Sequence, residues 1–391
     1  MPSASRKNKS LWLAIGISLL GGASTPLVFF LLKEFCGNSC QRSYIEYKTQ
    51  IDFGTAILLF GLDKAYIHYQ AQDKKVKRGN LLLPICITLL ALLIIGIITG
   101  INSKAQSKES LIVLAGIAGG CAFAAARAKT LVFDGYSSYN RITLLMYSIP
   151  IMLIPLGTYS VEGMLTAIAI SWIGILPLIA FKNSSRKNYP IFDKKTLSRD
   201  IKYGFSEIGT SLGILAPAYI AVNVFRYNDP PDAQTINSIG LIIILANLVR
   251  FPISTLIPII LKENFSIKRQ HLLAMILICI GAGLTSSIIH SIYLYKTLQP
   301  NPFIGTYISL CCASYFIAVL LYKNGKSLTI FTSATLATIA LISLPHLTAS
   351  TMNHETAMIL LIICEAIKIL SMLPAKLKIL GKQPARTGNE D

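Results

Sequence analysis

LLLPICITLLALLIIGIITGI, residues 81–101, carries no charged side chain in 21 positions. At a rise of about 1.5 Å per residue a helix of this length crosses a hydrocarbon core of about 30 Å. Inside lipid every backbone N–H and C=O must be paired within the segment, so a helix is the expected form. Barrel strands are excluded, because they read as alternating runs of about ten residues. Comparable stretches recur along the 391 residues, at 11–32, 43–66, 81–101, 111–130, 142–159, 162–181, 203–225, 236–260, 271–293, 303–322, 327–346 and 356–374. With 53% hydrophobic and 14% charged residues, the chain holds more apolar surface than a soluble interior of this size can hide. The expected class is an all-α polytopic membrane protein of about twelve spans. The first run, Leu11–Leu32, is too long for a signal-peptide core and no small-residue cleavage site follows it, so it is read as a retained span.

The net charge of +18 is distributed by side. With the N-terminus inside, the cytoplasmic segments hold 26 of the 36 Lys and Arg, and the outer segments hold seven: Lys33, Arg42, Lys48, Lys104, Lys108, Arg226 and Lys296. Lys64, Arg250 and Lys368 fall within spans. This alternation is the positive-inside rule and places both termini in the cytoplasm. The basic excess therefore sets topology, and nucleic acid is not an expected partner. Among the cysteines, Cys36 and Cys40 share the first outer loop, CGNSC, where either a small-loop disulfide or two separate thiols fits.

The longest polar stretch, residues 182–202, divides the chain into an N-terminal six-helix bundle (1–181) and a C-terminal one (203–374), with a polar cytoplasmic tail at 375–391. IGISL at Ile15–Leu19 matches IGTSL at Ile208–Leu212, and the same offset pairs Lys33 with Arg226. A second offset pairs Thr49 with Thr235, Gly54 with Gly240, Leu62 with Leu248 and Lys64 with Arg250. Parallel repeats of this kind are expected to enclose a substrate cavity between them.

Ionisable groups inside spans are costly and point to function or to a paired partner. Tyr44, Lys48, Asp52, Thr55, Asp63 and Tyr66 recur in the second span, and Asp52 and Asp63, eleven apart, would share a face of one helix. Such a stripe faces either a cavity or a neighbouring helix. Lys64 and Arg250 either snorkel to the cytoplasmic surface or converge on an anion such as phosphate. Arg127 and Lys129, after the small-residue run AGIAGGCAFAAA, read as interfacial anchors or as ligands. Arg226 is placed at the outer mouth. Glu365 and Lys368, at i and i+3, are expected to pair, with an ion or proton relay as the alternative. Glu207 is read either as a first-turn acid of its helix or as part of that relay. Prolines 150, 155, 217, 252 and 258 mark kinks or hinges. No metal motif, P-loop or nucleophile elbow occurs, so no cofactor and no catalysis are expected, and transport would draw on a gradient or potential.

Three segments carry a likeness to a known family: IDFGTAILLFGLDKAYIHYQAQD (51–73), KYGFSEIGTSLG (202–213) and LANLVRFPISTLIPIILKE (245–263). With twelve spans and a basic central loop, the chain resembles the Wzx-type polysaccharide flippases of the MOP exporter superfamily, which share a MATE-like fold. The resemblance implies an inner-membrane transporter that moves undecaprenyl-pyrophosphate-linked oligosaccharide, such as an O-antigen unit, from the cytoplasmic to the outer leaflet by alternating access. It implies a pyrophosphate met by Lys64, Arg250 and Arg127, sugars in the polar cavity, and H⁺ or Na⁺ coupling through Asp52, Glu365 or Glu207. Its implied partners are the lipid-linked oligosaccharide, membrane lipids, and polysaccharide polymerase and chain-length proteins. A cation-coupled multidrug exporter of the same superfamily is the nearest alternative. A membrane glycosyl polymerase or ligase is disfavoured by the short outer loops.

Overall fold

In the computed structural model, residues 13, 16–17, 24–72, 79–102, 106–181, 194–225, 233–262, 269–323, 326–348 and 353–380 are described, and all regular structure among them is helical. In chain order the helices are α1 (24–36), α2 (Asn38–Leu59), α3 (Leu62–Gln72), α4 (Gly79–Asn102), α5 (Gln106–Lys129), α6 (Gly135–Met152), α7 (Ile154–Gly157) and α8 (Val161–Phe181). Then come α9 (Lys194–Tyr219), α10 (Ala233–Lys262), α11 (Arg269–Tyr295), α12 (Pro302–Lys323), α13 (Ser327–Thr348) and α14 (His354–Leu380). Each expected span has its counterpart, the second as α2 with α3 and the fifth as α6 with α7.

Among the described residues, five segments are long and apolar enough to cross a bilayer by length and composition: Lys108–Val132, Ser137–Gly157, Ile276–Tyr295, Pro302–Leu321 and His354–Pro374. Shorter apolar windows lie in α4, α8, α9, α10 and α13. Large apolar side chains face outward, as Leu90, Leu93 and Ile97 do along one side of α4 and Ile276, Ile280 and Leu284 do along α11. Water would not tolerate such stripes, whereas lipid solvates them at no cost. The chain is a multi-pass membrane protein.

With lipid as solvent, helices associate through close packing of small residues. α5 presents Gly116 and Gly120 to Ile51 and Thr55 of α2, and a Cβ on Gly119 would lie 2.7 Å from the Ala169 backbone of α8. The same principle joins α9 to α13, where a Cβ on Gly209 would lie 2.3 Å from Phe331 Cα, and α11 to α12 at Gly283. α2 packs on α5, and α5 on α4 and α8, while α9 packs on α13, α13 on α14, and α12 on α10, α11 and α14. Contacts between these two groups run from α2 and α3 to α9 and α10.

The second span is not one helix. Phe60 (φ 48°) and Gly61 (φ 65°) both take the left-handed conformation and separate α2 from α3. Glycine adopts it freely, but for phenylalanine it costs about 1–2 kcal/mol. The Phe60 carbonyl turned out by this break lies against Gly204 of α9, where a Cβ would approach it to 1.9 Å.

Several expected boundaries shift. α9 begins at Lys194, so the second part of the expected 182–202 linker is helical, and residues 182–193 lie outside the described set. Glu207 consequently sits in the middle of α9 and is not a first-turn acid. α14 runs past Pro374 to Leu380, and the rest of the expected tail lies outside the described residues. Pro150 precedes the break between α6 and α7, and Pro217 precedes a π-turn at Ile220–Val224, whereas Pro252 and Pro258 lie in the unbroken α10.

Candidate functional site

α2 supplies Tyr44, Lys48, Ile51, Asp52, Thr55 and Leu59 at steps of three and four, which places them on one face. That face borders a cavity of about 350 Å³, within the range of small-ligand sites. Ser24 and Thr25 of α1, Gly116 and Phe123 of α5, Tyr147 of α6, Trp172 of α8, and Ile244, Asn247 and Leu248 of α10 complete the wall. The cavity thus draws on helices from both groups, and four members of the expected polar stripe line it. Asp63 and Tyr66 do not, because the break at Phe60–Gly61 interrupts the helical phase that would have carried them onto the same face as Asp52.

Asp52 is the one carboxylate among the described lining residues, and Lys48 one turn away is bound to both of its oxygens. The pair is partly exposed to the cavity. Opposite it stands an aromatic wall. Phe123 packs against Trp172 and Tyr147 with ring centroids 4.9 and 5.1 Å apart, and Trp172 Nε1 donates to the Met146 carbonyl at 3.0 Å.

Arg127 stands behind that wall. Its guanidinium donates to the hydroxyls of Tyr139 and Tyr147 and lies 5.3–5.8 Å from the ring centres of Phe123, Tyr139 and Tyr147. Three rings and two hydroxyls hold the cation by cation–π attraction and hydrogen bonding. Lys129 is buried, which corrects its reading as an interfacial anchor, whereas Arg127 is half-buried. Asp63 lies within electrostatic reach of Arg127.

Arg250 is 4% exposed, which overturns its reading as a snorkelling cation. Its Nη2 donates to Glu365 Oε1 at 2.8 Å, and Lys368 Nζ donates to the same oxygen at 2.5 Å. Ser314 Oγ donates to Glu365 Oε2 at 2.6 Å, and Lys368 Nζ also reaches the Gly213 carbonyl at 2.6 Å. The expected Glu365–Lys368 pair is therefore present, enlarged to a triad that ties α10, α12, α14 and α9. The space beside it is about 20 Å³, room for about one water.

The structure thus gathers Arg250, Glu365 and Lys368 at one place and Asp52 at another, with Arg127 and Asp63 behind the cavity wall. Lys64 is half-buried on α3. Glu207 is placed only by its helix, and Arg226 lies outside the described residues. The sequence reading missed the aromatic wall and Asn247. Phe123 and Arg127, four apart, were its one local sign.

Toward the end that the charge pattern assigns to the outside, the two helix groups meet in a polar seam. Gln50 Nε2 donates to Asn223 Oδ1 at 2.9 Å, and Asn223 Nδ2 donates to Thr49 Oγ1 at 2.8 Å. Asn237 Nδ2 donates to the Asn38 carbonyl at 3.2 Å, and Gln41 Nε2 to the Tyr293 hydroxyl at 3.1 Å. Phe53 stacks on Tyr219 at 4.6 Å. Cys36 and Cys40, at the turn from α1 to α2, are joined as a disulfide.

No protein-family model matches the chain, and no curated protein does. Solved structures do. One is an outward-facing multidrug resistance MATE family transporter of the MOP superfamily, 13% identical, with a TM-score of 0.56 over 96% of this chain and 97% of that one. Another is MATE in complex with MaD5, 12% identical, with a TM-score of 0.55 over 95% and 96%. A third is MATE in complex with Br-NRF, 14% identical, with a TM-score of 0.54 over 95% and 94%. The chain has the fold of the MATE transporters.

Proposed function

We propose that the protein is a transporter that carries a phosphate-bearing, lipid-linked oligosaccharide from the cytoplasmic to the outer leaflet of the inner membrane by alternating access. The observation that carries this reading is the charge of the interior. Asp52 is neutralised by Lys48, Glu365 is held by two cations, and Arg127 stands behind the cavity wall with Asp63 within electrostatic reach. Among the described residues of the cavity and the triad, cations outnumber carboxylates. An interior of this sign suits an anionic cargo, and aromatic faces beside a Lys–Asp pair and Asn247 suit sugar rings and hydroxyls. The prenyl tail would remain in lipid.

In this reading Lys48 meets the phosphate in the inward-open state, Arg127 attracts it from behind the aromatic wall, and Lys64 stands toward the cytoplasmic mouth. Glu365 already has Arg250, Lys368 and Ser314 as partners in this conformation, so its role is to hold α10 against α14. Asp52, exposed to the cavity, is then the better candidate for H⁺ or Na⁺ coupling.

A multidrug exporter is the second reading, favoured by the solved structure described as a multidrug resistance transporter. One experiment separates the two. The gene is deleted, and the leaflet distribution of lipid-linked oligosaccharide and the drug sensitivity of the cells are measured. Accumulation on the cytoplasmic side supports the proposal. An unchanged glycolipid distribution with raised drug sensitivity refutes it.

A further inference from the structure

Beside the outer seam, three side chains from three helices converge. Ser238 Oγ of α10 lies 3.0 Å from His290 Nε2 of α11 and 2.9 Å from His354 Nε2 at the start of α14. Ser238 is 3% exposed, His290 is fully buried, and His354 is half-buried toward the outer surface. The two imidazole rings are 6.4 Å apart. His290 Nδ1 is buried without a hydrogen-bond partner among the described residues.

Counting protons in this cluster gives it a chemistry. A serine hydroxyl carries one proton, so it can donate to only one of the two Nε2 atoms. The other imidazole must be the Nε2–H tautomer and donate to Oγ. In either arrangement one Nε2 lone pair is filled only by the hydroxyl proton. A proton arriving from outside takes that lone pair, and both rings then donate N–H to the two lone pairs of Oγ. The displaced hydroxyl proton turns to a carbonyl of its own helix, a common partner for serine. A second proton would have only a ring Nδ1 to occupy and would put two imidazolium ions on one oxygen. The cluster is built to take one proton.

We propose that Ser238, His290 and His354 form a proton-binding site at the outer end of α10, α11 and α14, and that its occupation loosens the outer seam. The inference rests on the transporter reading but not on the nature of its cargo. The link to the seam is direct in the chain. Asn237, beside Ser238, makes the hydrogen bond to Asn38, and Tyr293, one turn beyond His290, accepts the one from Gln41. Among the described residues, Gln41 Oε1 and Asn237 Oδ1 of the seam are buried without donors. An imidazolium in this apolar setting is drawn toward water and toward Glu355, the carboxylate that faces His354 from the exposed first turn of α14. The other titratable or charged groups facing the cluster are Tyr295 and Tyr293 of α11, with Lys33 and Glu34 of α1 reaching Tyr293. No cation among them replaces the charge.

The test measures the width of the outer mouth in cargo-free protein. Spin labels are attached at Tyr159→Cys and Leu298→Cys, exposed positions at the outer ends of the two helix groups, with Cys86→Ser as background. Distances are recorded by pulsed electron resonance from about pH 8 down to about pH 4, because burial disfavours a charged imidazole and carries its titration below the ordinary range. The proposal expects a longer-distance population that grows as pH falls, and its loss in both His290→Gln and His354→Gln. His354→Gln, at a half-buried helix start, serves as the variant that folds readily. A wild-type distance that does not respond to pH overturns the proposal, as does a response that survives in His354→Gln. Because no cargo is present, failure here leaves the cargo reading to its own leaflet measurement.

Discussion

Glu365→Gln keeps the shape of the side chain and the acceptor for Ser314 Oγ but removes the only negative charge in the triad. Arg250 and Lys368, 5% and 6% exposed at their side chains, are then left as buried cations side by side. Breaking a buried ion pair from one side costs about 3–5 kcal/mol. If the triad acted only through ordinary interhelical hydrogen bonds, the loss would be about 0.6 kcal/mol, the average for such contacts in membranes. The two cases differ by roughly two decades or more in the unfolding equilibrium, at about 1.4 kcal/mol per decade. Unfolding by SDS in mixed micelles, followed by circular dichroism, resolves that difference. The expected outcome is a loss of at least about 3 kcal/mol for Glu365→Gln. The triple variant Arg250→Met, Glu365→Leu, Lys368→Met should recover most of it, because no buried charge is then uncompensated. A loss near 0.6 kcal/mol, or a triple variant less stable than the single one, would refute the reasoning.

Gly204→Ala drives a methyl group into the Phe60 carbonyl, a backbone atom that cannot swing aside, and should destabilise the protein by about 1–3 kcal/mol in the same assay. Gly174→Ala, with open space around it in the middle of α8, should instead be neutral or stabilising by up to about 1 kcal/mol. Arg127→Lys keeps the charge but loses the planar contact with three rings, so transport in reconstituted vesicles should fall by about tenfold while insertion is unchanged. Without reductant, a polar maleimide should leave Cys36 and Cys40 unmodified, and reduction should add both, as read by intact mass.

The features legible in the sequence are those that depend on solvent. A run such as 81–101 has no stable alternative to a helix in lipid, so the spans and the helical class follow from composition and length. The Glu365–Lys368 pair was legible too, because i,i+3 neighbours meet whatever surrounds the helix. Asp52 and Asp63 show the limit. Their eleven-residue spacing holds only in one continuous helix, and the left-handed Phe60–Gly61 step removes that premise.

What the sequence by itself determined is a multi-span helical membrane protein with charge sorted to its two sides, since insertion responds to local hydropathy and to cations near span ends. The tertiary structure decided which interior groups meet. Arg250 and Glu365 are 115 residues apart, and Ser238 lies 52 and 116 residues from its two histidines. Such contacts are set by how helices pack through small residues such as Gly204, Gly209 and Gly116, and helical periodicity within one span carries no information about them. The same packing turned Arg250 inward and left Arg127 half-buried among three rings. For a long cation near a span end, water and a buried partner are both available, and only the neighbouring helices choose between them.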